Sequence, residues 1–501
     1  MTISGIQSNL APLMQSVQDI NKQLDDLNRQ LGSGQKADTY AGLGSQSGVT
    51  VALNAQLSAL SSYDATITNV GTTVSLQQLV LQQISTLGNT AQTAAMQPSF
   101  AVDSTGQTTA QKTAENQFEQ IISLLNTQGA NGYLFSGSGL SQASVDTADH
   151  IMNGNGAQAG LKQVIAERNQ ADLGASGLGR LVIPSASGSS VSVSEDSATS
   201  PFGLKLASVS SSLTGATVTG PSGSPAGITV ALGATNPNNG DSVSFTFSLP
   251  DGTTQTLKLQ ATTSTTPGAN QFTIGATPAA TAANLQAALT AGVSQIGATS
   301  LTAASTMAAS SNFFDDPPQR VSGSPATATS LVNGTTANTV FWYTGDDSSS
   351  SARSSQTARI DPNTSVSYGT QANEQGIQQV LQSVAALAAT TYSASNPNAS
   401  ASYTALNSRV YTALGAPAGV QNITDIEAGL ANAQTSMAAA TSQHAQTSNS
   451  LTNMLQSIEG VDPNQVGAQI LSLQTSLSAS LSVTARMAQL NLLTYLSPVS
   501  G

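Results

Sequence analysis

The sequence predicts a mainly α protein with a β-rich insert: long N- and C-terminal helices pack as an antiparallel, coiled-coil-like bundle around which an α+β middle is inserted. Three observations predict it. Apolar residues at both ends recur at alternating steps of four and three, the seam of a coiled coil. Residues from about 185 to 370 are instead rich in Ser, Thr, Gly and Pro and alternate with a period of two. At 501 residues the chain also has room for two to four domains.

At the N-terminal end, Ile6, Leu10, Leu13, Val17, Ile20, Leu24, Leu27 and Leu31 form an unbroken stripe. Gly32 and Gly34 stop that helix, as glycine does at helix C-termini. A second helix is expected from about Val51 to Met96, carrying Leu53, Leu57, Leu60, Ile67, Val70, Val74, Leu81, Ile84 and Leu87. A third runs from about Gln111 to Leu125, with Phe118, Ile121 and Ile122 inward.

The C-terminal end repeats the pattern. Ile426, Leu430, Ala433, Met437, Ala440, His444, Thr447, Leu451, Met454 and Ile458 step alternately by four and three, and the small residues among them predict a close seam. Gly460 breaks the helix, and Asp462–Pro463 reads as an N-cap followed by proline at the first helical position. The last helix carries Val466, Ile470, Leu473, Leu477 and Leu481 and broadens to Met487, Leu490, Leu492, Leu493 and Leu496. Residues 1 to 31 alone make roughly 46 Å of helix. Its stripe must pair with the other terminus, with another copy, or with both. A single pair exposes one flank and a bundle of copies covers it, which points to a polymer.

In the middle, Val243, Phe245, Phe247 and Leu249 alternate, Pro250-Asp251-Gly252 turns, and Leu257 and Leu259 alternate back, a hairpin. A short Ala-rich helix is expected from about Thr281 to Leu289, a buried strand at Val340–Tyr343 around the only tryptophan, and a helix again from Asn373.

Composition excludes several functions. Charged residues make up 8% of the chain, against roughly 25% in ordinary domains. The net charge is −12, and the 14 Lys and Arg residues are scattered singly, so no basic patch exists for nucleic acid. Without cysteine there are no disulfides, thiolate nucleophiles or Cys-based metal sites. No apolar run is long enough for membrane insertion, and Met1 to Gln30 lacks the basic and continuous apolar regions of a cleaved secretory signal.

No residue is assigned to catalysis, to a cofactor or to a metal, and we expect no enzyme. His444 on the stripe reads as a packed histidine rather than a metal ligand or pH switch, and the other histidine, His150, offers it no partner at helical spacing. Asp315–Asp316 and Asp346–Asp347 lack the spacing of a calcium loop. The glycines of Asn153–Gly160 follow no apolar strand, as a nucleotide-binding loop would require. Neither a nucleophile elbow nor a zinc-protease motif is present. Trp342 offers at most a thin sugar platform, and the Ser/Thr-rich middle offers acceptors for O-glycosylation.

Both ends resemble the flagellin and flagellar hook-associated (hook–filament junction) family. The resemblance lies in Leu27-Asn28-Arg29-Gln30-Leu31-Gly32-Ser33-Gly34-Gln35-Lys36, in Gly132-Tyr133-Leu134-Phe135-Ser136-Gly137, and in the run from Leu473 to Leu481 ending at Leu492-Leu493-Thr494-Tyr495-Leu496. The family's acidic segment after the first helix break departs here to Asp38-Thr39-Tyr40-Ala41-Gly42-Leu43-Gly44, so that turn is expected to be built differently. The glycine-rich break at residues 32 to 44 reads either as a plain loop or as a hinge between layers, and the resemblance favours the hinge.

The resemblance implies a flagellin-type structural subunit, exported unfolded through the flagellar type III route with an uncleaved signal and polymerised outside the cell for swimming motility. It implies an inner domain of residues 1–36 with 462–501, a helical bundle of 37–145 with 372–461, and an outward-projecting variable domain of 146–371. The implied partners are further copies of the chain, neighbouring flagellar axial proteins and an export chaperone. The expected assembly residues are Leu10, Leu13, Val17, Ile20, Leu24, Leu27, Leu31, Ile470, Leu473, Leu477, Leu481, Leu490 and Leu493. Two alternatives stay open: the junction protein between hook and filament, and a secreted adhesin or carbohydrate-binding protein acting through the middle domain.

Overall fold

The structure, a computed structural model, describes residues 4–96, 99–348, 351–415 and 419–495; the side chains of 4–10 and 490–495 are not described. Eleven α-helices occur among these residues. Four lie in the N-terminal part: α1 Ser4–Ser33, α2 Ser47–Ala95, α3 Thr109–Leu125 and α4 Ala148–Asn153. Three belong to the middle: α5 Leu161–Leu173, α6 Pro278–Ile296 and α7 Thr302–Phe314. The last four are α8 Gln375–Ala388, α9 Ala399–Leu414, α10 Ile423–Glu459 and α11 Pro463–Tyr495. The chain divides into two compact units, Met1–Asn69, Arg359–Ser365 and Thr435–Gly501 in one, Val70–Ala358 and Val366–Gln434 in the other. Helices α2 and α10 contribute residues to both.

In the first unit, α1 and α11 pack along one another. They run antiparallel, because the chain leaving α1 is bridged at Gln35 to Gly460, just before α11 begins. Proline opens α11 where its missing N–H costs nothing. The Asp462 carboxylate accepts the backbone N–H groups of Asn464 at 2.9 Å and Gln465 at 3.4 Å, capping the first turn.

The second unit holds two four-stranded sheets. One has the order β3-β4-β7-β6, built from β3 Leu181–Val182, β4 Ser190–Glu195, β6 Thr217–Ser222 and β7 Gly227–Ala231. The other has the order β10-β9-β8-β5, from β5 Lys205–Ser211, β8 Ser242–Ser248, β9 Thr254–Thr262 and β10 Gln271–Thr273. The expected hairpin is β8–β9, with Val243 opposite Leu259 and Phe245 opposite Leu257. Its inward residues join Val191, Val193, Ile228 and Val230 of the first sheet and Leu285, Leu289 and Val293 of α6 in one core. A short pair, β1 Gln128–Gly129 and β2 Gly132–Tyr133, precedes them.

The structure departs from the sequence reading at three places. Val340, Trp342 and Tyr343 are buried, but they form no strand. Their backbone is satisfied by single contacts, Val340 N–H donating to Ala159 at 3.1 Å and the Trp342 carbonyl accepting from Asp146 at 2.9 Å. The middle is also more helical than expected. The helix read from Thr281 to Leu289 is part of 19-residue α6, α5 and α7 accompany it, and α9 follows beyond the middle. Their inward faces include Arg168, Asp172, Ser305, Thr306, Ser310, Ser402 and Asn407, so no apolar period announces them. Finally, Thr447 and Met454 of the α10 stripe are exposed, and Ser448 and Leu455 turn inward instead.

Candidate assembly surface

The seam of the first unit is short. Leu24 of α1 and Val466 and Ile470 of α11 are buried against one another, with Ile20, Leu27, Val461, Leu473 and Leu477 partly buried around them. Leu13 and Val17 are half-buried. Leu31 and Leu481 are on the expected stripe, yet they stay 44% and 50% exposed. Leu10, Leu490 and Leu493 lie outside the residues whose side chains are described. Met487, where the stripe was expected to broaden, is exposed too, and sequence reasoning missed further exposed apolar side chains on the same helices: Met14, Leu471 and Val483, with Leu471 66% exposed. Their only signal was that they fall off the a/d positions, which a single-seam reading treats as solvent-facing. The pair therefore leaves apolar side chains exposed on more than one side of its covered seam, without a partner in the single chain.

The break between α1 and α2 is tied down. Val461 N–H donates to the Gly34 carbonyl at 3.1 Å, and Lys36 N–H donates to Glu459 at 2.7 Å. Lys36 Nζ donates to the carbonyls of Ser457 and Ile458 at 3.1 and 2.8 Å, placing a cation on the last turn of α10, where the helix dipole favours it. The departing segment then forms a 3₁₀ turn, Tyr40–Gln46.

The Gly132–Gly137 segment is the tightest crossing in the second unit. At Gly137 φ is +65°, and a Cβ there would stand 2.2 Å from the Asp346 carbonyl oxygen, so only glycine fits. Gln77 Nε2 donates to Thr370 Oγ1 at 2.8 Å, and Thr370 in turn donates to the Leu134 carbonyl. The Ser138 hydroxyl donates to the Asp346 carboxylate and holds it below the usual carboxylate range.

The remaining chemistry-bearing residues have structural partners. Asp316 and Asp347, one from each acidic pair, meet side chain to side chain. Burial first, then Asp347, pushes Asp316 up to about 6. Among the described residues no group of three or more such side chains could hold a metal ion. His444 is 2% exposed, with Nδ1 2.7 Å from Asp64 Oδ1. Asn153–Gly160 links α4 to α5 through a turn bridged at Asn155 and Gln158, with no strand before it. The sugar-platform reading of Trp342 is overturned: the indole is fully buried, and its Nε1–H donates to the Phe314 carbonyl at 2.9 Å.

A cleft of about 770 Å³ in the second unit is lined by Arg168, Asp251, Gln255, Met307, Gln382 and Arg409 among others. Arg168 is paired to Asp172 at 2.8 Å and Arg409 to Asp251 at 2.7 Å, so both cations are neutralised within the chain. Among the described residues, no helix is long and apolar enough to cross a membrane.

Residues 6–139 match the family model of the bacterial flagellin N-terminal helical region. That stretch is a flagellin N-terminal helical region, the first part of the chain only. The matched stretch takes in most of α1, all of α2 and α3, and the Gly132–Gly137 crossing, and it reaches neither α10 nor α11. The C-terminal partner of this flagellin-family region is thus identified by packing alone. Comparison with curated proteins gives no match.

Proposed function

We propose that the chain is a structural subunit of the bacterial flagellar filament, polymerised through its terminal helices. The observation that carries this reading is the set of apolar side chains that the α1–α11 pair leaves uncovered, with Met14, Leu31, Leu471, Leu481, Val483 and Met487 exposed in the single chain. A neighbouring copy covers these residues, so ordering of the ends and assembly are coupled. The assembly residues are those of the stripe, Leu10, Leu13, Val17, Ile20, Leu24, Leu27 and Leu31 with Ile470, Leu473, Leu477, Leu481, Leu490 and Leu493, joined by the exposed residues named above. In this reading the terminal helices form an inner layer, residues 37–145 with 372–461 a second, and 146–371 the outward part. Export by the flagellar type III route, a chaperone on the terminal helices and contacts with other axial proteins belong to the same proposal, as does a structural and not catalytic role.

The test is self-assembly of the purified chain with short seeds or a precipitating salt, followed by negative-stain electron microscopy. Long uniform tubes, lost when residues 1–31 or 464–501 are deleted, are the expected result. Persistent monomers or closed rings would overturn the filament reading in favour of the hook–filament junction role, which needs no open-ended growth.

A further inference from the structure

The buried histidine sits where two helical stripes change phase. The inward residues of α10 are Ala433, Met437, Ala440, His444, Ser448, Leu451, Leu455 and Ile458. Their spacing alternates by four and three except at His444, which is flanked by two successive steps of four. On α2 the inward residues are Leu53, Leu57, Leu60, Asp64, Ile67, Val70 and Val74, with two successive steps of three after Asp64. Counting the half-buried Tyr63 in place of Asp64 puts the two successive steps of three before it, at Leu57, Leu60 and Tyr63, so the irregularity adjoins this turn of α2 by either count. Extra steps of this kind locally unwind or overwind a helical seam.

The two irregularities face each other, because His444 Nδ1 lies 2.7 Å from Asp64 Oδ1 and the Tyr63 ring is 6.2 Å from the imidazole. The flanking positions on α10 are Ala440 and Ser448, too small to define a register by interlocking.

We propose that the His444–Asp64 pair is a register lock that fixes the axial alignment of α2 against α10. In an antiparallel pair a slip of one heptad moves His444 by roughly 10 Å. It then faces position 57 or 71, which hold Leu57 and Gly71. Neither side chain can accept a hydrogen bond, so a slipped register buries an imidazole without an acceptor as well as misaligning both phase changes. A buried polar residue is a known means of specifying register in a helical seam.

Because the natural chain has no cysteine, spin labels can be placed uniquely at the exposed positions Ser62→Cys and Ser457→Cys, which lie at different levels along the helix pair so that a slip in either direction changes their separation. Double electron–electron resonance on the dilute full-length chain then reads the alignment. The doubly labelled parent is expected to give one narrow distance distribution, and His444→Leu a second population displaced by roughly 5–10 Å. Asp64→Asn keeps a side-chain acceptor and is expected to retain the single distribution; Asp64→Leu removes it and is expected to slip as His444→Leu does. A single unchanged distribution in both leucine variants would overturn the proposal. So would unfolding of His444→Leu with Asp64→Leu folded in one register, since the histidine would then matter for packing and not for alignment.

Discussion

Leu24 tests the contacts made within one chain, and Leu471 and Leu481 test the contacts proposed between chains. Its side chain is buried against Val466 and Ile470, and Ile20, Leu27, Leu473 and Leu477 complete the seam. Leucine-to-alanine changes in enclosed cores cost about 2–5 kcal/mol. Here the helix pair does not enclose its seam, so water can reach the vacated space, and the cost should fall near about 2 kcal/mol. That is roughly a 30-fold loss in the closing equilibrium of the α1–α11 pair. Hydrogen exchange on the monomer should therefore lose protection by about that factor in α1 and α11, while the β-sheet amides of the second unit keep theirs. Leu471→Ala and Leu481→Ala act differently, because both side chains are at least half exposed in the single chain. They should change monomer stability by no more than about 0.5 kcal/mol. If a neighbouring copy buries what is still exposed, each loses about 0.5–1.5 kcal/mol of assembly free energy. The critical concentration for seeded assembly, measured by sedimentation, should then rise about 2- to 10-fold. Parental critical concentrations for both variants would refute the assignment of these residues to assembly. Equal loss of protection in both units for Leu24→Ala would refute a separate terminal seam.

Three further outcomes follow. Asp316, pushed up to about 6, binds its proton more tightly in the folded than in the unfolded chain, so its contribution to stability is lost as pH rises through that range. Asp316→Asn should raise the unfolding midpoint at pH 7.5, by no more than about 1 kcal/mol after solvent screening, and leave it unchanged at pH 3.5; calorimetry at the two pH values checks both. Trp342, the only tryptophan, should emit to the blue of free indole and resist acrylamide quenching until the second unit unfolds. Gly137→Ala should destabilise the second unit by at least about 2 kcal/mol in urea denaturation, because the left-handed backbone and the Asp346 carbonyl both exclude a Cβ.

The ends of the chain were legible because their inward residues are large and evenly spaced, and glycine or proline marks their limits. Gly34, Gly460 and Pro463 stand at the ends of α1, α10 and α11 as their chemistry requires. The β8–β9 hairpin was legible for the same reason, with Val243, Phe245, Leu257 and Leu259 all buried. Legibility failed where the interior is small or polar. Helix α7 turns Ala303, Ala304, Ser305, Ala308 and Ala309 inward, which carries no periodic signal. Asp64 could not be named as the partner of His444, because no spacing rule joins residues on different helices.

The most informative mismatch is in the candidate surface itself. The apolar period of α1 continues unbroken to Leu31, and that of α11 to Leu481, yet the folded chain buries only the stretch around Leu24, Val466 and Ile470. At the break end, α11 offers no inward residue before Val466, so Leu31 has no helix opposite it. A stripe kept apolar beyond the reach of its intramolecular partner has no use in an isolated chain, where exposed leucines add nothing to folding and promote association. Under the proposed assembly a second copy covers these leucines, and a chain with so few charges has little other means of specifying that contact.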